Sequence, residues 1–393
     1  MKILFISFYF EPDLCAGSFR NTPLFNELKS HLSNEDFIHV ITTQPNRYKS
    51  FKSSGESVEK GSNFEINRIK IPEHKGGMLD QAKSFITFYR ETKKLVKGKE
   101  YDLIYASSSR LFTAFLGRSI ASSKSAPLYL DIRDIFVDTM KDVLGNKKYL
   151  QIPVVLFANL IEKYTFSKAS HINLVSEGFK SYFNKYPKPS YTYFTNGIDD
   201  VFMDINSESS YSPGKPLVIT YAGNIGSGQG LEKVLPQAAK ELGSKYRFRI
   251  IGDGGTKKLL QDKIEELKVE NIEILNPVSR AELLKYYESS TFLFLHLNDL
   301  EAFKKVLPSK IFEYGAFDKP IIAGVGGYAA KFIEDNLTNY ILFKPTDVQD
   351  FVSQMRSYEL KFENRKSFKD KFARENIMKS MAESILKYNH RNV

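Results

Sequence analysis

Short apolar runs alternate with longer amphipathic stretches along the whole chain, which restricts it to α/β folds where parallel strands are joined by crossover helices. Two such series are visible. The first predicts strands at 2–10, 38–43, 64–71, 103–106, 128–131 and 171–175, with helices near 20–32, 81–97, 111–122, 153–167 and 177–185. The second predicts strands at 217–222, 246–251, 272–275, 292–295, 320–323 and 341–343, with helices filling the gaps, among them 232–242 and 281–288. Between the series lies DINSESSYSPGKP at 204–216, whose Ser, Pro and Gly content reads as a linker. A chain of 393 residues also exceeds what one core usually supports, so two domains are expected, 1–203 and 217–374. Residues 375–393 follow as a C-terminal helix, a candidate to cross back to the first domain.

Four features bound the function. No run reaches the ~18 apolar residues of a membrane-spanning helix; the longest, 152–161, carries Pro153 and Asn159. The apolar start at 3–10 is broken by Glu11, Pro12 and Asp13, which favours a first strand over a signal peptide. A single cysteine, Cys15, excludes an intramolecular disulfide and fits a reducing cytoplasm. The net charge of +10 is concentrated in residues 1–200, which hold +7 of it. Such an excess serves nucleic acid, an anionic membrane surface, phosphate-bearing substrates, or nothing beyond a solvated surface. Nucleic acid fits poorly, because the basic residues are spread over helices and no recognition motif is present.

Four motifs carry chemistry. After the first strand, Ala16, Gly17 and Ser18 form either a plain tight turn or a turn whose N–H groups approach an anion. After the first strand of the second series, YAGNIGSGQG at 221–230 places four glycines in eight residues before a helix, a backbone bare enough for a diphosphate. IIGDGG at 250–255 repeats the device one strand later, so that Gly223, Asn224, Gly226, Gln229, Gly252 and Asp253 would line one cleft. In KKVLPSKIFEYG at 304–315, Pro308 suits the first turn of a helix, Lys305, Ser309 and Lys310 gather near its start, and Glu313 lies within two turns, where a carboxylate accepts both hydroxyls of a ribose. An amphipathic helix with surface Glu and Lys is the plainer reading. LDIRDI at 130–135 ends a strand in Asp131, Arg133 and Asp134, which either orient an acceptor and take its proton or form a structural Asp–Arg pair.

These features, in this order, resemble family 4 glycosyltransferases, whose fold is the two-domain B-type: α/β, two Rossmann-like domains facing each other across a cleft. The resemblance covers nearly the whole chain and includes NLVSEGF at 173–179, TNGIDDVF at 195–202, YAGNIGSGQGLE at 221–232 and PSKIFEYGAFDKPIIAG at 308–324. It implies an acceptor-binding first domain, a nucleotide-sugar-binding second domain, Glu313 on the ribose and the 223–230 turn under the phosphates. It adds Gly17 and Val278 to the donor set and puts Asn196 and Asp199 at the crossing between domains. It implies retention of anomeric configuration, no cofactor beyond the UDP-sugar substrate, and no tightly bound metal.

Two departures from the family pattern stand out: Lys305 occupies the place of a second glutamate, and Asn224 and Gln229 the places of an Arg and a Lys. Lys305 and Lys310 are candidates to restore the positive charge. DIRDIFVDT, NIGSGQGL and LPSKIFEY are most similar to the subgroup of O-antigen and capsule assembly that includes N-acetyl-L-fucosamine transferases. That implies a UDP-linked 2-acetamido-2,6-dideoxy-hexose, a polyprenyl-diphosphate-linked saccharide acceptor, and peripheral attachment to the inner face of the cell membrane. Residues 83–99 and 147–168 mix Lys with Phe, Leu and Ile and read equally as membrane-lying or as buried helices. A UDP-sugar 2-epimerase of the same architecture and a degenerate sugar-nucleotide-binding protein are the rival readings.

Overall fold

The computed structural model describes residues 1–13, 15–46, 54–72, 78–108, 111–145, 148–205 and 214–388. It begins with β1 (Lys2–Ser7), α1 (Ala16–His31), β2 (Phe37–Thr43), β3 (Val58–Lys60), β4 (Phe64–Ile69), α2 (Met78–Leu95) and β5 (Leu103–Ser108). There follow α3 (Leu111–Lys124), β6 (Leu128–Ile132), α4 (Phe136–Leu144), α5 (Lys148–Phe166), β7 (His171–Leu174), α6 (Lys180–Phe183) and β8 (Ser190–Thr192). The second series comprises β9 (Leu217–Asn224), α7 (Leu231–Leu242), β10 (Tyr246–Asp253), α8 (Lys257–Glu266), β11 (Ile272–Leu275), α9 (Arg280–Glu288) and β12 (Phe292–His296). It continues through α10 (Lys310–Gly315), β13 (Ile321–Gly324), α11 (Gly327–Asn336), β14 (Tyr340–Phe343), α12 (Val348–Ser357), α13 (Lys366–Phe372) and α14 (Arg374–Leu386).

The chain forms two compact units, Met1–Asn196 with Glu375–Val393, and Gly197–Arg374. The first holds an eight-stranded sheet ordered β3-β4-β2-β1-β5-β6-β7-β8, parallel except for β3. The second holds a six-stranded parallel sheet ordered β11-β10-β9-β12-β13-β14. The central strands read as unbroken apolar runs because helices cover both faces; Ile3, Leu4, Phe5 and Ile6 are all fully buried. In each unit the strand order reverses beside the first strand, at β1/β5 and at β9/β12. The loops leaving those strands diverge and open a crevice at their carboxyl ends.

All expected strands are found. β3 and β8, three residues each at the sheet edges, lack the apolar run that marks the others. Ala16, Gly17 and Ser18 form the first turn of α1 instead of a separate turn. The 204–216 stretch lies largely outside the described residues. Residues 197–203, expected in the first domain, pack in the second unit, where Ile198 and Phe202 are fully buried in its core. Backbone bonds from Ile198 N to Phe372 O (2.7 Å) and from Arg374 N to Ile198 O (2.8 Å) join the two ends of that unit. α14 supplies Met378, Met381, Ala382 and Ile385 to the core of the first unit.

That core encloses an ion pair. Arg20 on α1 donates from Nε and Nη2 to the two oxygens of Asp131 on β6, at 2.8 and 2.9 Å, and both residues are buried. Asn173 donates to Oδ1 (2.8 Å), Tyr105 and Ser107 donate to Oδ2, and Arg20 also donates to the carbonyls of Phe194 and Thr195. Burial pushes the Asp131 carboxyl up, but Arg20 outweighs it and holds the group below the usual carboxylate range. Such a pair resists removal of one member far more than replacement of both. Arg20→Met is expected to lower the stability of the first unit by about 3–5 kcal/mol, leaving Asp131 charged without its partner. Native-state hydrogen exchange of the β5 and β6 amides measures this, and the β9 and β10 amides should be unaffected.

Candidate functional site

The glycine-rich loop follows β9 at the crevice of the second sheet. β9 and β10 are paired through Gly223 and Gly252, and a Cβ on Gly252 would lie 1.9 Å from the Gly223 carbonyl oxygen. Only bare backbone fits there. Gly230, at φ +56°, makes the left-handed turn into α7. Within the loop the Asn224 amide donates to Gln229 Oε1 at 2.8 Å, and Tyr221 OH donates to the Asn224 carbonyl at 2.6 Å. Asn224 and Gln229, which replace cationic residues of the family pattern, thus brace the loop through each other. The Asn298 backbone N–H donates to the Gly228 carbonyl at 2.8 Å and ties the loop to the segment after β12. Asp253, closing β10, accepts the Gly254 N–H at 2.9 Å.

α10 brings the charge. Glu313 is buried, and Lys310 Nζ lies 2.7 Å from its Oε2, with Tyr287 OH donating to the same oxygen at 3.3 Å. Burial raises the Glu313 carboxyl, but Lys310, helped by Arg280 and Arg374, overcomes this and holds it below the usual range. A Cβ on Gly223 would sit 3.6 Å from Lys310 Cε, so α10 and the loop converge. Arg365, itself buried, fixes α10 from its far end by donating to the carbonyls of Tyr314 (3.3 Å) and Phe317 (2.8 Å). Ser309 is the N-cap residue of α10 but makes no side-chain cap bond, and Lys305 ends the 303–305 turn, half-buried. Val278 packs against the core of the unit. The structure therefore joins Gly223, Gly252, Asn224, Gln229, Lys310 and Glu313 at one strand end, while Val278 has a packing place.

In the first unit Gly17 and Arg133, from distant stretches of sequence, come together: a Cβ on Gly17 would lie 3.0 Å from Arg133 Nη1 and 2.9 Å from Tyr9 Cβ. This sets a guanidinium beside the first turn of α1, where free N–H groups favour an anion. The two aspartates of LDIRDI separate. Asp131 is saturated in the interior by Arg20 and Asn173, so it holds the fold and is not placed to take a proton from an acceptor, and its partner is Arg20 and not Arg133. Asp134 keeps surface in contact with solvent and accepts from Thr139 Oγ1 at 3.3 Å. Lost hydration pushes its carboxyl up to about 6, against the pull of the Ile135 N–H, Thr139 and Arg133. Asn196 closes the first unit. Asp199 belongs to the second, where its carboxylate pairs with Arg374 at 2.7 Å and with Arg280.

Sequence reasoning missed Tyr287, Arg280, Arg374, Asn298 and His296. The capping box SRAE at 279–282 marks the start of α9 and so the place of Arg280, but nothing local pairs it with Asp199. His296, buried at the end of β12, accepts the Thr346 N–H at Nε2 (2.9 Å) and donates from Nδ1 to the Gln229 carbonyl, which makes it a neutral strut under the glycine loop. Burial pushes it down to about 4. The unfolded chain, with an ordinary histidine near 6.5, binds the extra proton first as pH falls. The stability His296 contributes is therefore complete above about pH 6.5 and is lost towards pH 4, by about 3 kcal/mol. Hydrogen exchange of second-unit amides across this range should show that slope, and His296→Asn should flatten it.

Residues 202–374 match the family model described as glycosyl transferases group 1. No protein of curated function matches the sequence. Among solved structures, the chain is similar to HepE of Anabaena in complex with UDP and glucose, at 14% identity and TM-score 0.61, covering 100% of this chain and 98% of that one. It is similar to the lipopolysaccharide outer core galactosyltransferase WaaB, at 16% identity and TM-score 0.63, with 98% and 99% covered. A trehalose 6-phosphate synthase of Burkholderia multivorans gives 11% identity and TM-score 0.69, with 98% and 96% covered. The chain has the two-domain B-type glycosyltransferase fold, and residues 202–374 are the part of it that is similar to glycosyl transferases group 1.

Proposed function

We propose that the protein transfers a sugar, with retention, from a UDP-sugar to a saccharide carried on a polyprenyl diphosphate, in the assembly of a bacterial O-antigen or capsule. N-acetyl-L-fucosamine or a related 2-acetamido-2,6-dideoxy-hexose is the transferred sugar on this reading. The observation that carries the donor half is the ionised, buried Glu313 beside Lys310 at the bare-backbone ends of β9 and β10. Both hydrogen bonds to Glu313 fall on Oε2, which leaves Oε1 to accept a ribose hydroxyl. As the glycosidic bond breaks, charge develops on the leaving UDP; Lys310, Lys305 and the loop N–H groups are the groups that would stabilise it. That HepE was solved with UDP and glucose supports a uridine nucleotide.

The acceptor half rests on the first unit, with Arg133 and the start of α1 for an acceptor phosphate and Asp134 for the acceptor proton. A lipid-carried acceptor implies peripheral attachment at the inner membrane face; among the described residues no helix is long and apolar enough to cross a membrane.

UDP at ~100 times its dissociation constant should stabilise the protein by about 2.7 kcal/mol, read as a rise in melting temperature. GDP and ADP should not, and Glu313→Ala or the pair Lys305→Ala, Lys310→Ala should abolish the shift. A protein indifferent to every nucleotide would refute the donor assignment, and UDP-sugar consumed without acceptor would favour an epimerase. For transfer itself, kcat/KM should rise with pH through about 6 as Asp134 ionises, and Asp134→Asn should remove that limb along with ~10²–10⁴-fold of the rate.

A further inference from the structure

Ten large hydrophobic side chains are strongly exposed among the described residues, and six of them lie on α5: Tyr149, Ile152, Leu156, Phe157, Leu160 and Tyr164. Spacings of three, four, one, three and four put them on a single helix face. Tyr149 is 74% exposed and Leu160 67%, values unlike those of a core helix. The other face is occupied as expected: Ala158, Ile161 and Phe166 are buried, and α5 packs on α3 and α4. Charge is distributed to match. The one carboxylate in α5, Glu162, is buried and turned inward to Tyr182 (2.5 Å) and Lys185 (3.5 Å). Lys163 and Lys168 are exposed, and Arg118 of α3 lies 5.5 Å from the ring of Tyr164. α3 contains no acidic residue; on α4 Asp138 is buried, Asp142 half-buried and Lys141 exposed.

We infer that the outward face of α5 docks on a bilayer carrying anionic headgroups, lying in the interface with its apolar stripe among the acyl chains and its lysines at the headgroups. An in-plane helix of this kind needs an apolar face and cationic flanks, and α5 has both without an exposed carboxylate. A second copy of the chain would bring the same cations face to face, whereas anionic lipid complements them. α4 begins two residues after Asp134 and packs along α5, so docking would set the strand end that bears Asp134 one helix away from the lipid. The inference deepens the proposed membrane-borne acceptor by naming the surface that meets the membrane.

The test is cosedimentation of the full chain with vesicles of equal parts phosphatidylglycerol and phosphatidylcholine, and with phosphatidylcholine alone. Binding is expected to the anionic vesicles, to weaken with salt, and to fall at least about tenfold in Leu156→Asn, Leu160→Asn. Replacement of Lys163 and Lys168 by Gln should reduce it about fivefold for each lysine. Both variants alter exposed positions and should fold normally, which circular dichroism and an unchanged melting temperature check. Vesicle binding that is absent, or equal in the parent and both variants, overturns the inference. So does self-association in the ultracentrifuge that the leucine variant abolishes while vesicles are ignored. The UDP-dependent shift, measured on the same samples, separates the two readings: a retained shift without vesicle binding rejects the docking face alone, and a lost shift rejects the donor assignment.

Discussion

A parallel sheet that grows outward in both directions from its first strand cannot cover the carboxyl ends of its two central strands, because the connections leaving them run to opposite faces. Both units are built under this constraint, and in both the candidate site residues gather there. In the second, the loops after β9 and β12 would part and leave a hole. The loop is kept in form by a few polar contacts: Asn298 to Gly228, the neutral His296 to Gln229, and Asn224 to Gln229 across the turn. The first two replace solvation that the loop carbonyls give up, and the third braces the turn through side chains.

The same constraint explains where charge is tolerated. Glu313 and Asp131 are both buried carboxylates held ionised by a cation, yet they differ in what remains available. Asp131 has its oxygens taken by Arg20, Asn173, Tyr105 and Ser107, and Arg20 in turn reaches the carbonyls that lead out of β8, so the group works as an internal rivet. Glu313 shares one oxygen between Lys310 and Tyr287 and sits beside a backbone stripped of side chains. What distinguishes the two carboxylates is the count of donors around each, not burial.

Much of this was legible in the chain. Apolar runs located every strand of both sheets except β3 and β8, whose few residues pair at an edge and bury little. Four glycines in eight residues marked the loop: a Cβ on Gly226 would lie 2.4 Å from the Asn224 amide nitrogen, and Gly230 takes a left-handed φ of +56°. The Pro308 to Glu313 spacing marked α10. Pairings between distant residues were not legible. Arg20 looks like any helical arginine, and LDIRDI suggests Arg133 as the mate of Asp131; only the packing of α1 on the sheet selects Arg20. The domain limit was misjudged for a related reason, because Ile198 and Phe202 give no local sign of which core they enter.

The joined ends of the second unit also bear on how the protein is made. Ile198 and Arg374 are tied by backbone bonds, so residues 197–374 form a body inserted into a first unit whose own chain is discontinuous. The ribosome delivers everything the inserted body needs by Arg374, whereas the core around Leu24, Phe25 and Arg20 waits for Met378, Met381 and Ile385 of α14. Folding during synthesis usually proceeds from the N-terminus. Here the part begun first is finished last, and the nascent first unit carries an open apolar seam until the final helix emerges.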